Sequence, residues 1–201
     1  MSVVVDRTLS SLRWSPSLFD PLDGDALAAT SRLSFGLARS AAVTVAIYQG
    51  STLIRTIWAN RPMAAGPHAW VWDGRNAAGA IVPSGRYTVR VAATSWLGTS
   101  VQTRTVIVDA FAVALSATSV RPGQTLTVTF ASAEPLRAAP TVSFTQHGKL
   151  AVTKTAVRLS DGRYRVTFVV AAGGSGPAVI RIIGRDTAGG TNATSVPVNV
   201  L

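Results

Sequence analysis

The sequence predicts an all-β protein built as two antiparallel β-sandwiches in tandem. Short runs that alternate β-branched and polar residues recur about every ten residues, the spacing of strands in a sandwich. Gly, Pro, Asn and Asp punctuate these runs, and the 3.6-residue apolar period of an amphipathic helix is almost nowhere to be found. A chain of 201 residues accommodates two ordinary domains, and an apolar fraction of 47% is ample for packed cores.

In the first half, strands are expected at residues 31–37, 42–49, 52–59, 66–72, 85–95 and 100–108. The segment Val43-Thr44-Val45-Ala46-Ile47-Tyr48 alternates cleanly, so Val43, Val45 and Ile47 share one face and should be buried. The second half supplies strands at 112–117, 125–131, 141–146, 153–160, 163–171, 176–184 and 195–201, the strand count of a small sandwich. Pro122-Gly123 marks a turn before one of them, and Ser160-Asp161-Gly162-Arg163 joins two others through an Asp-Gly pair suited to a tight hairpin. One face there should carry Tyr164, Val166, Phe168 and Val170.

These patterns divide the chain into domains at 1–109 and 110–201. Val3-Val4-Val5-Asp6 is echoed by Val106-Ile107-Val108-Asp109. Either residues 1–12 are a linker or a strand left from a preceding repeat in a longer array, or both runs are ordinary apolar strands ending in a polar residue.

The net charge of +10 comes from 17 Arg and 2 Lys against 8 Asp and a single Glu. Such a balance keeps a protein soluble and draws it toward anionic surfaces. The arginines (Arg7, Arg13, Arg32, Arg39, Arg55, Arg61 and onward) are dispersed rather than gathered in a block, which predicts a solvated face and no nucleic-acid partner. Anionic cell-envelope polymers remain a candidate partner. Cysteine is absent, which excludes a disulfide framework or a cysteine zinc site. No apolar run approaches the roughly 20 residues of a transmembrane helix. The first residues lack the regions of a signal peptide, so an export signal is expected outside this chain, or Met1 as an addition to a fragment.

Residues 33–108 carry a more specific pattern. It runs through Phe35-Gly36-Leu37, Ala42-Val43-Thr44-Val45-Ala46-Ile47-Tyr48 and Leu53-Ile54-Arg55-Thr56-Ile57. Then follow Trp70-Val71-Trp72-Asp73-Gly74-Arg75-Asn76-Ala77-Ala78-Gly79 and Val82-Pro83-Ser84-Gly85-Arg86-Tyr87. This region resembles the Ig-like, fibronectin-III-like domain of FlgD-type flagellar hook-cap proteins, through that family's Trp-Asp-Gly and Gly-x-Tyr signatures. The second half resembles bacterial Ig-like domains more loosely, through Arg121-Pro122-Gly123, Glu134-Pro135-Leu136, Gly162-Arg163-Tyr164 and Asp186-Thr187-Ala188-Gly189-Gly190. The resemblance implies two Ig-like sandwiches.

The signature residues have folding roles by their chemistry. Trp72 is large enough to plug the end of a sandwich, and Asp73 can accept hydrogen bonds from the turn that follows. Gly74 and Gly79 supply backbone angles that other residues resist, Asn76 tolerates left-handed geometry, Gly85 starts the returning strand, and Tyr87 can bury its ring with its hydroxyl at the rim. Catalysis finds little support. The histidines, His68 and His147, have no nucleophile motif beside them, and the one glutamate, Glu134, precedes a proline. No enzyme activity is expected. The acidic cluster Asp20-Pro21-Leu22-Asp23-Gly24-Asp25 could converge on Ca2+ through Asp20, Asp23 and Asp25, or simply form a hydrogen-bonded turn. Asn192-Ala193-Thr194 satisfies a glycosylation sequon in an expected loop.

The chain is therefore expected to be a non-catalytic structural or assembly module of a secreted or cell-surface bacterial protein. Its expected partners are neighbouring Ig-like domains or copies of itself added at sheet edges. A flagellar hook-assembly scaffold and a binding module for anionic glycan or wall polymer are the alternatives.

Overall fold

Every regular element is a strand in the computed structural model, which describes residues 7–201. The chain divides into two compact units, Met1–Val108 and Asp109–Leu201. The Val3-to-Asp6 half of the internal echo lies outside the described residues.

The first unit contains β1 (Leu9–Ser15), β2 (Leu18–Phe19), β3 (Ser31–Leu37), β4 (Ala41–Gln49), β5 (Thr52–Met63), β6 (Gly66–Trp72), β7 (Gly85–Ser95) and β8 (Gly98–Val108). They form one sheet in the order β1-β3-β6 and a second in the order β2-β8-β7-β4-β5. The alternation of β4 places Val43, Val45 and Ile47 wholly inside. Each such side chain stabilises the fold by about 1.5–3 kcal/mol.

Residues 9–12, expected in a link or a preceding repeat, instead open β1 of this sandwich, where Leu9 and Leu12 join the core. The strand was hidden because it is bulged. Its register shifts between Ser10 and Arg13, and Ser11 has φ of 55°, so its buried residues fall at Leu9, Leu12 and Trp14 rather than at every second position. β5 likewise runs beyond 59 to Met63, through register shifts and past Pro62. An edge strand tolerates that proline because one side of its backbone needs no ladder partner.

The second unit contains β9 (Phe111–Leu115), β10 (Ser119–Val120), β11 (Thr125–Ser132), β12 (Thr141–Thr145), β13 (Val152–Thr155), β14 (Val157–Arg158), β15 (Tyr164–Val169), β16 (Gly176–Arg185) and β17 (Thr191–Val200). Its sheets run β14-β15-β11-β9 and β10-β17-β16-β12-β13. The strand expected over 153–160 is divided at Ala156, which is buried and donates its N–H to Pro140 O at 2.9 Å, so β13 and β14 belong to different sheets. β17 starts at Thr191 rather than 195. Its inward positions Asn192 and Thr194 are polar, which masked the alternation.

Both units share one topological device. The first strand pairs antiparallel in one sheet (β1 with β3, β9 with β11). A two-residue strand then crosses to the other sheet and pairs parallel with the last strand (β2 with β8, β10 with β17). Each sandwich is thereby laced along one side by its own N-terminal segment.

Candidate functional site

The most recognisable residues of the first unit lie in the connection from β6 to β7. Trp72, the last residue of β6, is fully buried and stands 6.1 Å from Trp14, 5.5 Å from Phe19 and 5.3 Å from Tyr87 between ring centroids. Its indole N–H donates to Arg75 O at 2.9 Å. Asp73 Oδ1 accepts the Arg75 N–H at 3.2 Å, and its carboxylate also meets Arg55 and Arg75 at 3.8 and 3.5 Å. Both ion pairs are solvent-exposed, so they contribute little.

Gly74 has φ of +72°, and a Cβ there would lie 2.5 Å from Pro21 Cγ, so both backbone angle and close approach require glycine. Gly79 has φ of +81°, and at Gly85 a Cβ would meet Gln49 Nε2 at 2.8 Å. Asn76, which could tolerate left-handed geometry, does not adopt it. Instead its Oδ1 accepts the N–H groups of Ala78 and Ala80 at 2.9 and 3.1 Å and organises the loop as an acceptor. Tyr87 is buried and donates its hydroxyl to Pro83 O at 2.7 Å, four residues upstream, and burial raises its pKa above the ordinary 10.0. The side-chain polar groups of Trp72, Asp73, Asn76 and Tyr87 are thus all engaged by the backbone of their own corner.

The Asp20–Asp25 segment is a chain of Asx turns. Asp20 is buried, and its Oδ1 accepts the Leu22 N–H at 3.0 Å. Asp23 Oδ1 accepts Asp25 N–H at 3.1 Å, and Asp25 Oδ1 accepts Leu27 N–H at 2.6 Å. The structure brings carboxylate oxygens of Asp23 and Asp25 within 4.8 Å of each other. The Oδ2 atoms of both are buried without a hydrogen-bond partner.

His68 and His147 are not brought to a nucleophile. His68 pairs opposite Phe35 in the sheet and its Nε2 contacts Ala64 O at 2.8 Å, while His147 sits in a turn closed by Lys149 N–H to Gln146 O. Several arginines, expected as a solvated face, lie over tryptophans: Arg39 on Trp96, Arg55 on Trp70 and Arg61 on Trp58, at 5.6, 5.5 and 5.4 Å. Such stacking covers apolar rings while leaving the charge in water.

Sequence reasoning missed a buried polar group in the second unit. Glu134, Asp186 and Asn192 are 4%, 0% and 1% exposed. Asn192 Nδ2 donates to Glu134 Oε2 at 2.8 Å, and carboxylate oxygens of Glu134 and Asp186 lie within 4.8 Å of each other. Asp186 Oδ1 accepts the N–H groups of Gly189 and Gly190 at 2.7 and 3.0 Å. Burial acts to raise its pKa, but the backbone hydrogen bonds outweigh it and hold the carboxyl below the usual 3.8. Nearby, Asp109 accepts from the Thr194 hydroxyl, and burial pushes its pKa up. Glu134 comes from a segment far from the hairpin that carries Asp186 and Asn192, 58 positions from Asn192, so no local motif joins all three.

No curated protein matches the chain. Among solved structures, a tetra-tandem repeat in the extending region of a large adhesion protein aligns with 95% of this chain at 16% identity and a TM-score of 0.38. A structure from a 1.5-MDa bacterial ice-binding adhesin aligns with 96% at 19% identity and a TM-score of 0.33. The chain spans 50% and 64% of the lengths of those two structures. The FlgD Ig-like domain family matches residues 24–96, which lie within the first unit.

Proposed function

We propose that this chain is a non-catalytic structural module of a secreted or surface-attached bacterial protein, acting as a spacer, stalk or assembly subunit. The observation that carries the reading is the engagement of the family signature by the fold itself. From Trp72 to Tyr87 the side-chain polar groups of the signature close the β6–β7 corner, so the most recognisable part of the chain builds a rigid module rather than a reaction site. Sheet edges give such a module its means of association. β13 is an edge strand with all four residues exposed, Val152 among them at 52%, and Leu150 just before it is 93% exposed. An unpaired edge with apolar neighbours is suited to strand addition by an adjoining domain or a second copy.

The test is to measure oligomeric state by light scattering over a concentration series and to locate the full-length protein in fractionated cells. Concentration-dependent association and recovery with the envelope are expected. A chain that stays monomeric and is recovered from the cytosol sinks the reading.

The FlgD-type match favours one alternative, a scaffold for flagellar hook assembly. A deletion strain that builds normal hooks ends it. The orphaned Oδ2 atoms of Asp23 and Asp25 favour calcium at those two members of the expected Asp20, Asp23 and Asp25 set, checked by calcium titration of an Asp23→Asn, Asp25→Asn double variant. Trp96, 84% exposed beneath Arg39, would be the platform for an anionic glycan, and a Trp96→Ala chain with undiminished glycan binding removes that role.

A further inference from the structure

We propose that Asp186, Asn192 and Glu134 form a calcium site inside the second unit. Backbone pairing assembles them. Leu136 forms an isolated bridge with Asp186, Arg137 N–H donates to Arg185 O at 2.9 Å, and Thr187 N–H donates to Pro135 O at 3.1 Å. These bonds pin the segment that follows β11 to the turn between β16 and β17. Asn192, in β17, pairs opposite Gly184 in β16, two residues before Asp186. Three separate segments therefore deliver three oxygen-bearing side chains to one place.

The polar groups there are incompletely satisfied by protein. Asp186 Oδ1 is occupied by two backbone N–H groups, but its Oδ2 is buried with no hydrogen-bond partner. Asn192 turns its amide nitrogen to Glu134 and leaves its Oδ1 buried and equally unpartnered. A buried acceptor without a donor is rare in native proteins and costs roughly 1–3 kcal/mol, more when charged. Among the described residues no salt bridge joins a lysine or arginine to Asp186, and Arg137 donates to Thr187 O. Two carboxylates within 4.8 Å repel each other, and a divalent cation placed on them reverses the sign of that interaction.

The donor set selects the ion. It contains two carboxylates and an amide carbonyl, with neither imidazole nor thiolate, which suits a hard cation rather than zinc or copper. Calcium binds oxygen at about 2.3–2.6 Å, so two of its ligands can stand up to about 5 Å apart, and the observed spacing falls within that reach. Water and backbone carbonyls would complete its 6–8 ligands.

The test uses the full chain, stripped of metal by chelator and titrated with CaCl2 to about 10 mM in a calorimeter, followed by thermal unfolding. Calcium is expected to bind and to raise the Tm of one unfolding transition by about 5–10 °C. NaCl at matched ionic strength should not reproduce the shift. Asp186→Asn keeps an acceptor for the Gly189 and Gly190 N–H groups while removing the charge, and Glu134→Gln is nearly isosteric. Loss of the calcium shift, with at least tenfold weaker binding, in either variant that still unfolds cooperatively supports the site. No binding by the native sequence, an equal shift with NaCl, or an undiminished shift in both variants overturns it. The last result, with loss in the Asp23→Asn, Asp25→Asn variant, would move calcium to that turn. None of these outcomes bears on the spacer reading, which the association and fractionation measurements decide separately.

Discussion

The two units close the same corner of the sandwich by different chemistry. In the first, the β6–β7 connection is held by groups close in sequence. Trp72 donates to Arg75 O, Asp73 accepts from Arg75, and Tyr87 donates to Pro83 O. In the second, the β15–β16 connection is held from a distance by Gln146, which is 6% exposed and lies just after β12. Its Oε1 accepts the Ala171 N–H at 2.9 Å, and its Nε2 donates to Ala171 O and Gly173 O at 3.2 and 3.3 Å, across a separation of 25 to 27 residues. A corner closed locally produces a sequence signature, whereas one closed from afar leaves an isolated glutamine.

The largest expected effect tests whether the first corner anchors its own unit. Trp72 is fully buried among Trp14, Phe19 and Tyr87, so Trp72→Ala removes the hub of an aromatic cluster. Large-to-small changes of this kind cost about 3–5 kcal/mol. Scanning calorimetry should show the transition of the first unit lowered or lost and that of the second retained. If both fall together, the units unfold as one cooperative body and the comparison between independent corners fails.

An intermediate effect is expected in the second unit. Gln146→Ala leaves the Ala171 N–H and two carbonyls without their side-chain partner, a change worth about 1–3 kcal/mol. Denaturant unfolding should place the loss in the second unit. A change within about 0.5 kcal/mol, the scale of surface substitutions, would mean that water replaces the side chain and that the second corner is not closed by Gln146.

The same contrast explains what the sequence could disclose. Strands with one inward face and regular alternation, such as Ser31–Leu37, Gly66–Trp72 and Gly85–Ser95, are legible to the residue. β1 was not, because a bulge at Ser11 breaks its period, nor was the start of β17, because Asn192 and Thr194 occupy inward positions that normally hold apolar residues. The two-residue strands β2 and β10 are too short to carry any period. The acidic turn at Asp20, Asp23 and Asp25 could be read because its members are adjacent. Glu134, Asp186 and Asn192 could not, because strand pairing and the backbone contacts of the segment after β11 bring them together. A polar residue at an inward position of a late strand was the available signal, and Asn192 carried it.

The smallest effect at neutral pH returns to the first corner and carries its own pH signature. Tyr87→Phe removes one hydrogen bond, to Pro83 O, while keeping the buried ring, so the cost should be about 1 kcal/mol. The pH dependence has a definite sign. Burial raises the folded pKa of Tyr87 above its ordinary 10.0, so the stability linked to its proton is fully present below pH 10.0 and is lost as pH rises through the folded value. The native sequence should therefore weaken above pH 10 more steeply than Tyr87→Phe, and the gap between the two seen at pH 7 should narrow or invert. Chemical denaturation of both chains at neutral and alkaline pH measures it. Parallel profiles would show that the Tyr87 hydroxyl is solvated in the folded state. The first corner would then rest on Trp72 and its turn alone, and the local hydrogen bond would be dispensable to the module.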